Sequence, residues 1–171
     1  MITWMSGYGH LSETLNSLLN QSYKNFELTI YDDCSPEDPS KYILDIANKD
    51  SRVNYVRGAK RLGAAKAFQN ILQLIDSEAD FFAWCPDHDI YHQDWLKELT
   101  NTLLLNKNAA VAYPLLAGID NDGKQNKRLP TTYDNSNMNT IMRIKSFAFL
   151  RAGAGNIAHG LFRLSMIQRV G

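Results

Sequence analysis

The stretch Phe81-Phe82-Ala83-Trp84-Cys85 runs apolar without a polar break, stops at Pro86, and is followed at once by Asp87-His88-Asp89. A run that does not alternate reads as a strand buried on both faces, the kind found in sheets covered by helices on either side. Pro86 has no N–H for a sheet ladder, so the strand is expected to end there. Asp87 and Asp89 then stand at the carboxyl end of a central strand, where open α/β sheets bind ligands. Two close carboxylates repel each other, and a hard cation such as Mg²⁺ or Mn²⁺ relieves that repulsion. A solvated acidic turn is the alternative for an isolated pair.

The rest of the chain alternates between two periodicities. Leu11, Leu15, Leu18 and Leu19 follow a helical spacing, and the helix is expected to reach about Gln21. Phe26, Leu28 and Ile30 alternate with Glu27, Thr29 and Tyr31 as in a strand. That strand ends in Asp32-Asp33-Cys34, and Ser35 with Pro36 and Asp38 resembles a helix N-terminus. Tyr42, Ile43, Ile46 and Ala47 supply the next buried stripe; residues 53–57 read as a third strand. Gly63 opens a helix with Phe68, Ile71, Leu72 and Ile75 on one face, and Asp94 is the expected N-cap of a helix burying Trp95, Leu99 and Leu103. Residues 109–113 read as a further strand, Asp120-Asn121-Asp122-Gly123-Lys124 as a hairpin turn, and residues 127–139 as a long polar loop. Gly160-Leu161-Phe162-Arg163 reads as a close-packed strand before a last helix near Ser165. Strands alternating with helices predict a parallel sheet of right-handed βαβ units, in a single domain spanning residues 1–171.

Composition narrows the function classes. Eighteen basic residues balance eighteen acidic ones, so no net field steers the chain towards nucleic acid. No apolar stretch approaches the ~20 residues of a membrane span. Neither a signal peptide nor a disulfide framework is visible, and Cys34 and Cys85 read as reduced thiols of a cytoplasmic protein.

Two acidic clusters, Asp32/Asp33 and Asp87/Asp89, thus end two strands of one predicted sheet, whose carboxyl ends share an edge. One carboxylate can accept donors of a base or ribose, while a diphosphate needs a cation beside the other. On this pattern the chain resembles the family 2 glycosyltransferases. The resemblance rests on Leu11-Ser12-Glu13-Thr14-Leu15, Ser17-Leu18-Leu19-Asn20-Gln21-Ser22-Tyr23, Asn25-Phe26-Glu27, Asp32-Asp33-Cys34-Ser35, Leu62-Gly63-Ala64-Ala65, and Asp87-His88-Asp89 with Trp95-Leu96. It spans nearly the whole chain, and Gly160-Leu161-Phe162-Arg163 resembles the family segment that lines the acceptor side.

The resemblance implies a GT-A fold, a Rossmann-like α/β/α sandwich with a mostly parallel central sheet. It implies a metal-dependent, inverting transfer of a sugar from a nucleotide-sugar donor to the hydroxyl of a saccharide, lipid or protein acceptor. Asp33, with Asp32 beside it, is then the carboxylate that reads the base; Tyr8 and Arg61 join the nucleotide site; Asp87 lies near the ribose or sugar. Asp89, with Asp87, would ligate Mg²⁺ or Mn²⁺, and His88 is expected to point away between them. Three departures stand out: Trp4-Met5-Ser6 occupies the place of a Thr-Tyr-Asn-type nucleotide motif with Tyr8 out of register, Cys34 replaces a usual glycine, and the chain ends at Gly171 before the expected catalytic base. A nucleotide-binding module without turnover is the alternative function. A nucleotidyltransferase would want a glycine-rich phosphate loop, which is not evident.

Overall fold

The computed structural model describes residues 1–4, 8–75, 78–120, 122–125, 135, 137–148 and 154–170. Most of the expected polar loop, residues 127–139, lies outside them, as does the side chain of Tyr8. The chain divides into two compact units, Met1–Asp80 with Trp84–Glu98, and Phe81–Ala83 with Leu99–Gly171.

The first unit is built on a parallel sheet in the order β1 (Ile2–Thr3), β2 (Leu28–Asp32), β3 (Val53–Arg57). Its helices are α1 (Tyr8–Leu19), α2 (Ser40–Ala47) and α3 (Ala64–Leu72). Each strand pairs with the next in sequence after a helical crossover, the arrangement that the alternating periodicities predict. The leucine spacing is borne out, since Leu11, Leu15 and Leu18 are all buried on α1, and Ile43 is the buried residue of α2. Tyr31, Ala67 and Ile71 form a core cluster against which Ile2 and Trp84 pack.

The start of α2 differs from expectation. Ser35 does not cap it, because its hydroxyl and N–H both donate to Asp32. The helix begins five residues later, where Asp38 Oδ1 accepts the N–H and hydroxyl of Ser40 at 2.8 and 2.5 Å. A hydroxyl and an N–H bond to one buried carboxylate outweigh a local capping preference. Between α1 and β3, Arg52 forks onto Asp50 and donates to the Leu19 carbonyl at the end of α1 (3.1 Å) while lying 4.6 Å from the Phe26 ring centroid. The guanidinium's hydrogen bonds draw the Asp50 carboxyl down to about 2.

The second unit carries an antiparallel sheet in the order β4 (Phe81–Ala83), β6 (Leu161–Arg163), β5 (Val111–Ala112). The aromatic run was expected as a strand reaching Pro86 and buried on both faces; β4 stops at Ala83 and all three of its residues are only half-buried. Trp84 leaves the ladder to stack edge-on against Phe68, 4.5 Å between centroids, so its burial comes from side-chain packing in the first unit. Arg163 closes the end of α4 (Trp95–Leu105), donating to the carbonyls of Leu103, Asn106 and Ala109 at 2.6, 3.3 and 2.8 Å. A cation there satisfies orphan carbonyls and opposes the negative end of the helix dipole. Arg163 is therefore engaged inside its own unit. The expected hairpin is present as an antiparallel bridge between Ile119 and Gln125 around Gly123, whose φ is +75°.

A helix that the sequence reading left out, α5 (Thr140–Ala148), exposes Ile141, Met142 and Ile144. A 3₁₀ segment (Ala154–His159) and α6 (Leu164–Val170) flank β6. Among the described residues no helix is long and apolar enough to cross a membrane.

Candidate functional site

β1 lies between the two acidic clusters. On one side Thr3 is in register with Asp32; on the other Ile2 forms a parallel bridge with Pro86, the residue before Asp87. Neighbouring strands are about 4.8 Å apart, so the two clusters open on one sheet edge with roughly 10 Å between their backbones. The two clusters were expected to end strands of one sheet; β4 instead belongs to the antiparallel sheet, and the second cluster reaches the β1 edge through the isolated Ile2–Pro86 bridge.

Asp32 is fully buried and saturated by the protein itself. Oδ1 accepts the N–H and hydroxyl of Ser35 at 2.8 and 2.6 Å; Oδ2 accepts the Tyr55 hydroxyl at 3.1 Å and an N–H of Arg57. Arg57 faces Asp32 in the parallel register of β2 and β3, and Tyr55, two residues earlier, presents its side chain on the same face. Burial raises the Tyr55 hydroxyl above the ordinary phenol range, outweighing the opposite pull of its hydrogen bond with Ser40. A carboxylate has about four acceptor positions. With all four filled, Asp32 braces the turn that carries Asp33 and has no acceptor left for a nucleotide.

Asp33 is also buried, but it ties a loop. Its two oxygens accept the N–H groups of Leu62 and Gly63, each at 2.8 Å, just ahead of α3. One acceptor position on each oxygen remains. Arg61, the residue before this anchor, lays its guanidinium over the Trp4 ring, 3.3 Å from the centroid. The cation–π contact places a positive charge at the end of β1 beside Asp33. Trp4 and Arg61 thus meet where a nucleotide motif was expected, and Trp4 was readable only as a departure from that motif.

The turn after β2 is made by Cys34, whose φ is +59°, the one positive value among the described non-glycine residues. A side chain in this left-handed region costs about 1–2 kcal/mol, against the ~0.5–1 kcal/mol of extra chain entropy that a glycine loses on folding. Cys34→Gly is expected to raise stability by about 0.5–1 kcal/mol, read as a higher denaturant midpoint with an unchanged slope. A lower midpoint would show that the thiol's packing outweighs the backbone strain.

The second acidic cluster sits on a turn. Asp87 is buried and Asp89 half-buried, while His88 Nδ1 lies 3.1 Å from Asp87 Oδ1 with its ring 67% exposed. His88 was expected to point away from its neighbours. Alternation holds only for extended chain, and residues 87–88 are a turn, which brings the ring back onto Asp87. Cys85 and Tyr91 bracket this turn, both buried; burial pushes the Cys85 thiol and the Tyr91 hydroxyl up. Cys85 stays protonated at neutral pH and serves as packing, a free thiol as expected.

No group of three or more His, Cys, Asp or Glu side chains converges to hold a metal among the described residues. Asp87 and Asp89 offer hard oxygen donors without a closed cage. That donor set fits Mg²⁺ or Mn²⁺, which keep positions for water and for substrate phosphates, and does not fit a structural zinc site.

Sequence reasoning missed Arg57, Tyr55 and Gln21. Arg57 and Tyr55 could have been found from the period of β3, which places both on one face at the register of Asp32. Gln21 and Ser17 continue, with Thr14, a polar line beside the leucine stripe of α1. Gln21 also answers the question of how α4 starts. Asp94 holds the capping position, its carbonyl accepting from Glu98, but its carboxylate takes the Ser22 hydroxyl at 2.7 Å. The first-turn N–H of Leu96 is accepted by Gln21 Oε1 at 2.9 Å instead.

The family model for glycosyl transferase family 2 matches residues 2–170. An uncharacterized glycosyltransferase of Haemophilus influenzae is 31% identical over 123 residues, covering 72% of this chain and 48% of that protein. A Bacillus subtilis glycosyltransferase named for teichuronic acid biosynthesis, TuaG, is 23% identical over 153 residues, covering 86% of this chain and 60% of that protein. The chain therefore spans about half the length of the Haemophilus relative. Among solved structures, residues 1–349 of Staphylococcus aureus TarS in complex with UDP superpose with a TM-score of 0.69 at 18% identity, over 99% of this chain and 47% of that one. The mannosyltransferase PcManGT from Pyrobaculum calidifontis, in complex with GDP-Man and Mn²⁺, gives 0.63 at 14% identity, over 99% and 45%.

Proposed function

The chain belongs to glycosyl transferase family 2, and on that premise we propose that it acts in metal-dependent, inverting transfer of a sugar from a nucleotide-sugar donor to an acceptor hydroxyl. Its fold is the α/β GT-A fold of the solved glycosyltransferases it superposes on. The observation that carries the proposal is the pair of acidic clusters flanking β1, one tied to a cation–π pair, the other on a turn with two hard carboxylates. Asp33 and Arg61 face the nucleotide in this reading. Asp32 acts only by holding Asp33 in place, and Tyr8 remains a nucleotide contact by position alone. Asp89 and Asp87 would hold Mg²⁺ or Mn²⁺, which when bound supplies Lewis-acid stabilisation to the departing nucleoside diphosphate. The UDP and GDP-Man complexes of the two structural neighbours support a nucleotide-sugar donor, and the Mn²⁺ of one supports a divalent cation.

Calorimetric titration of the chain with UDP and GDP, with and without Mn²⁺, tests this. Binding of one nucleotide is expected, strengthened by Mn²⁺ and weakened at least about tenfold in Asp89→Ala, the size of losing one charge-assisted ligand. Absence of nucleotide binding, or binding indifferent to both Mn²⁺ and Asp89, would remove the proposal. Nucleotide binding without donor hydrolysis in the same chain would favour a binding module.

A further inference from the structure

The backbone just after the acidic turn is held almost entirely by one neighbourhood of the chain. Gln21, two residues past the end of α1, is 0% exposed. Its Nε2 donates to the Ser17 carbonyl at 3.1 Å and to the His92 carbonyl at 2.7 Å, while Oε1 accepts the Leu96 N–H at 2.9 Å. Ser17 Oγ accepts the Tyr91 N–H at 3.1 Å, and the Ser22 N–H donates to the Gln93 carbonyl at 2.7 Å. The Ser22 hydroxyl completes the set on Asp94 at 2.7 Å. Residues 91–96 are thus laced to residues 17–22 through bonds that a one-residue slip of either segment would break.

This lacing begins two residues after Asp89. On the other side the turn is anchored by the Ile2–Pro86 bridge. A short turn pinned at both ends has little freedom left for its two carboxylates. Gln21 uses both the donor and the acceptor end of its amide, so an apolar side chain of the same volume forfeits the bonds to the His92 carbonyl and the Leu96 N–H together.

We propose that Gln21 is a positioning residue for the metal-binding carboxylates: it fixes the exit of the acidic turn, and through it the placement of Asp87 and Asp89. This rests on the reading of those aspartates as metal ligands given above. Gln21 touches neither aspartate in this role. It acts through the backbone of residues 91–96, and its loss would let the turn open without removing any ligand.

The test is Mn²⁺ binding in the presence of UDP or GDP, followed by the electron paramagnetic resonance signal of free Mn²⁺, well below each variant's melting temperature. Gln21→Met keeps the volume and removes the three amide bonds; Ser17→Ala removes the bond from Tyr91 together with the hydroxyl's own bond to the Thr14 carbonyl within α1, and serves if the first variant does not fold. Leu15→Ala, buried in α1 away from the lacing, is the control matched for lost stability. The expected result is at least tenfold weaker Mn²⁺ binding in Gln21→Met, a smaller loss in Ser17→Ala, and wild-type affinity in folded Leu15→Ala. In an Asp89→Ala background the Gln21 substitution should add nothing to the loss. Wild-type affinity in the folded Gln21 and Ser17 variants, or an equal loss in Leu15→Ala, overturns the inference while leaving the metal reading intact. A wild-type chain that binds no Mn²⁺ with either nucleotide removes the metal reading itself, and with it this inference.

Discussion

Arg57→Met is expected to lower the unfolding free energy by about 3 kcal/mol, because it strands the Asp32 carboxylate in the interior. Removing one partner of a buried ion pair costs about 3–5 kcal/mol, most of it the penalty of an uncompensated charge. Arg57 is 27% exposed at its side chain while Asp32 is 0% exposed. Water can therefore screen part of the guanidinium but none of the carboxylate, which puts the expected loss at the lower end of that range. Asp32→Asn removes the stranded charge and keeps an acceptor for Ser35. The double variant should thus be less destabilised than the sum of the two single ones, by more than about 0.5 kcal/mol. Urea denaturation of the four proteins measures this directly. A single variant within about 1 kcal/mol of wild type, or strictly additive losses, would mean that the other three donors to Asp32 suffice without the ion pair. The turn that carries Asp33 depends on the same carboxylate, so nucleotide affinity should fall with stability in Arg57→Met.

Gly160→Ala should cost about 3 kcal/mol, at the upper end of ordinary overpacking. A Cβ at Gly160 would meet Val111 Cγ2 at 2.7 Å, the Ala112 carbonyl oxygen at 2.8 Å and the Ile157 carbonyl oxygen at 3.0 Å. Two of these are backbone atoms, and one belongs to the β5 residue that pairs with Leu161 in β6. Relief therefore requires the strands to separate. Hydrogen exchange should show the loss of protection in β5 and β6, with the amides of β2 and β3 unaffected. Gly58→Ala is the informative contrast. There the closest atom, at 2.8 Å, is the Tyr31 hydroxyl at the end of a side chain, and the nearest backbone oxygen is at 3.4 Å. A smaller loss is expected at Gly58. Equal losses, or wild-type exchange in β5 and β6 of Gly160→Ala, would show that the second sheet yields more easily than its packing implies.

The parallel sheet was legible because each of its parts repeats locally. Leu11, Leu15 and Leu18 declare α1, and the alternation through Leu28 and Ile30 declares β2. Residues 53–57 coincide with β3. The second sheet was less legible. β4 and β5 have three and two residues, too short for a period to emerge. Their antiparallel partner β6 comes from residues 161–163, and nothing local states that a strand so far along the chain will pair with β4. The helix α5 was not read although Ile141 and Ile144 stand at helical spacing; in the fold Ile141, Met142 and Ile144 face solvent.

By itself the sequence determined the α/β alternation, the acidic end of β2 and the family to which the chain belongs, since each is written in residue types at short spacing. The tertiary structure alone decided what each acid does. Asp32 and Asp33 are adjacent in sequence and identical in chemistry, yet one is saturated by Ser35, Tyr55 and Arg57 while the other ties Leu62 and Gly63. His88 turned onto Asp87 because its backbone turns, and Gln21 capped a helix seventy-five residues away. A carboxylate's role is set by which donors reach it and whether water does. Those are properties of neighbours brought together by folding, and no local spacing encodes them.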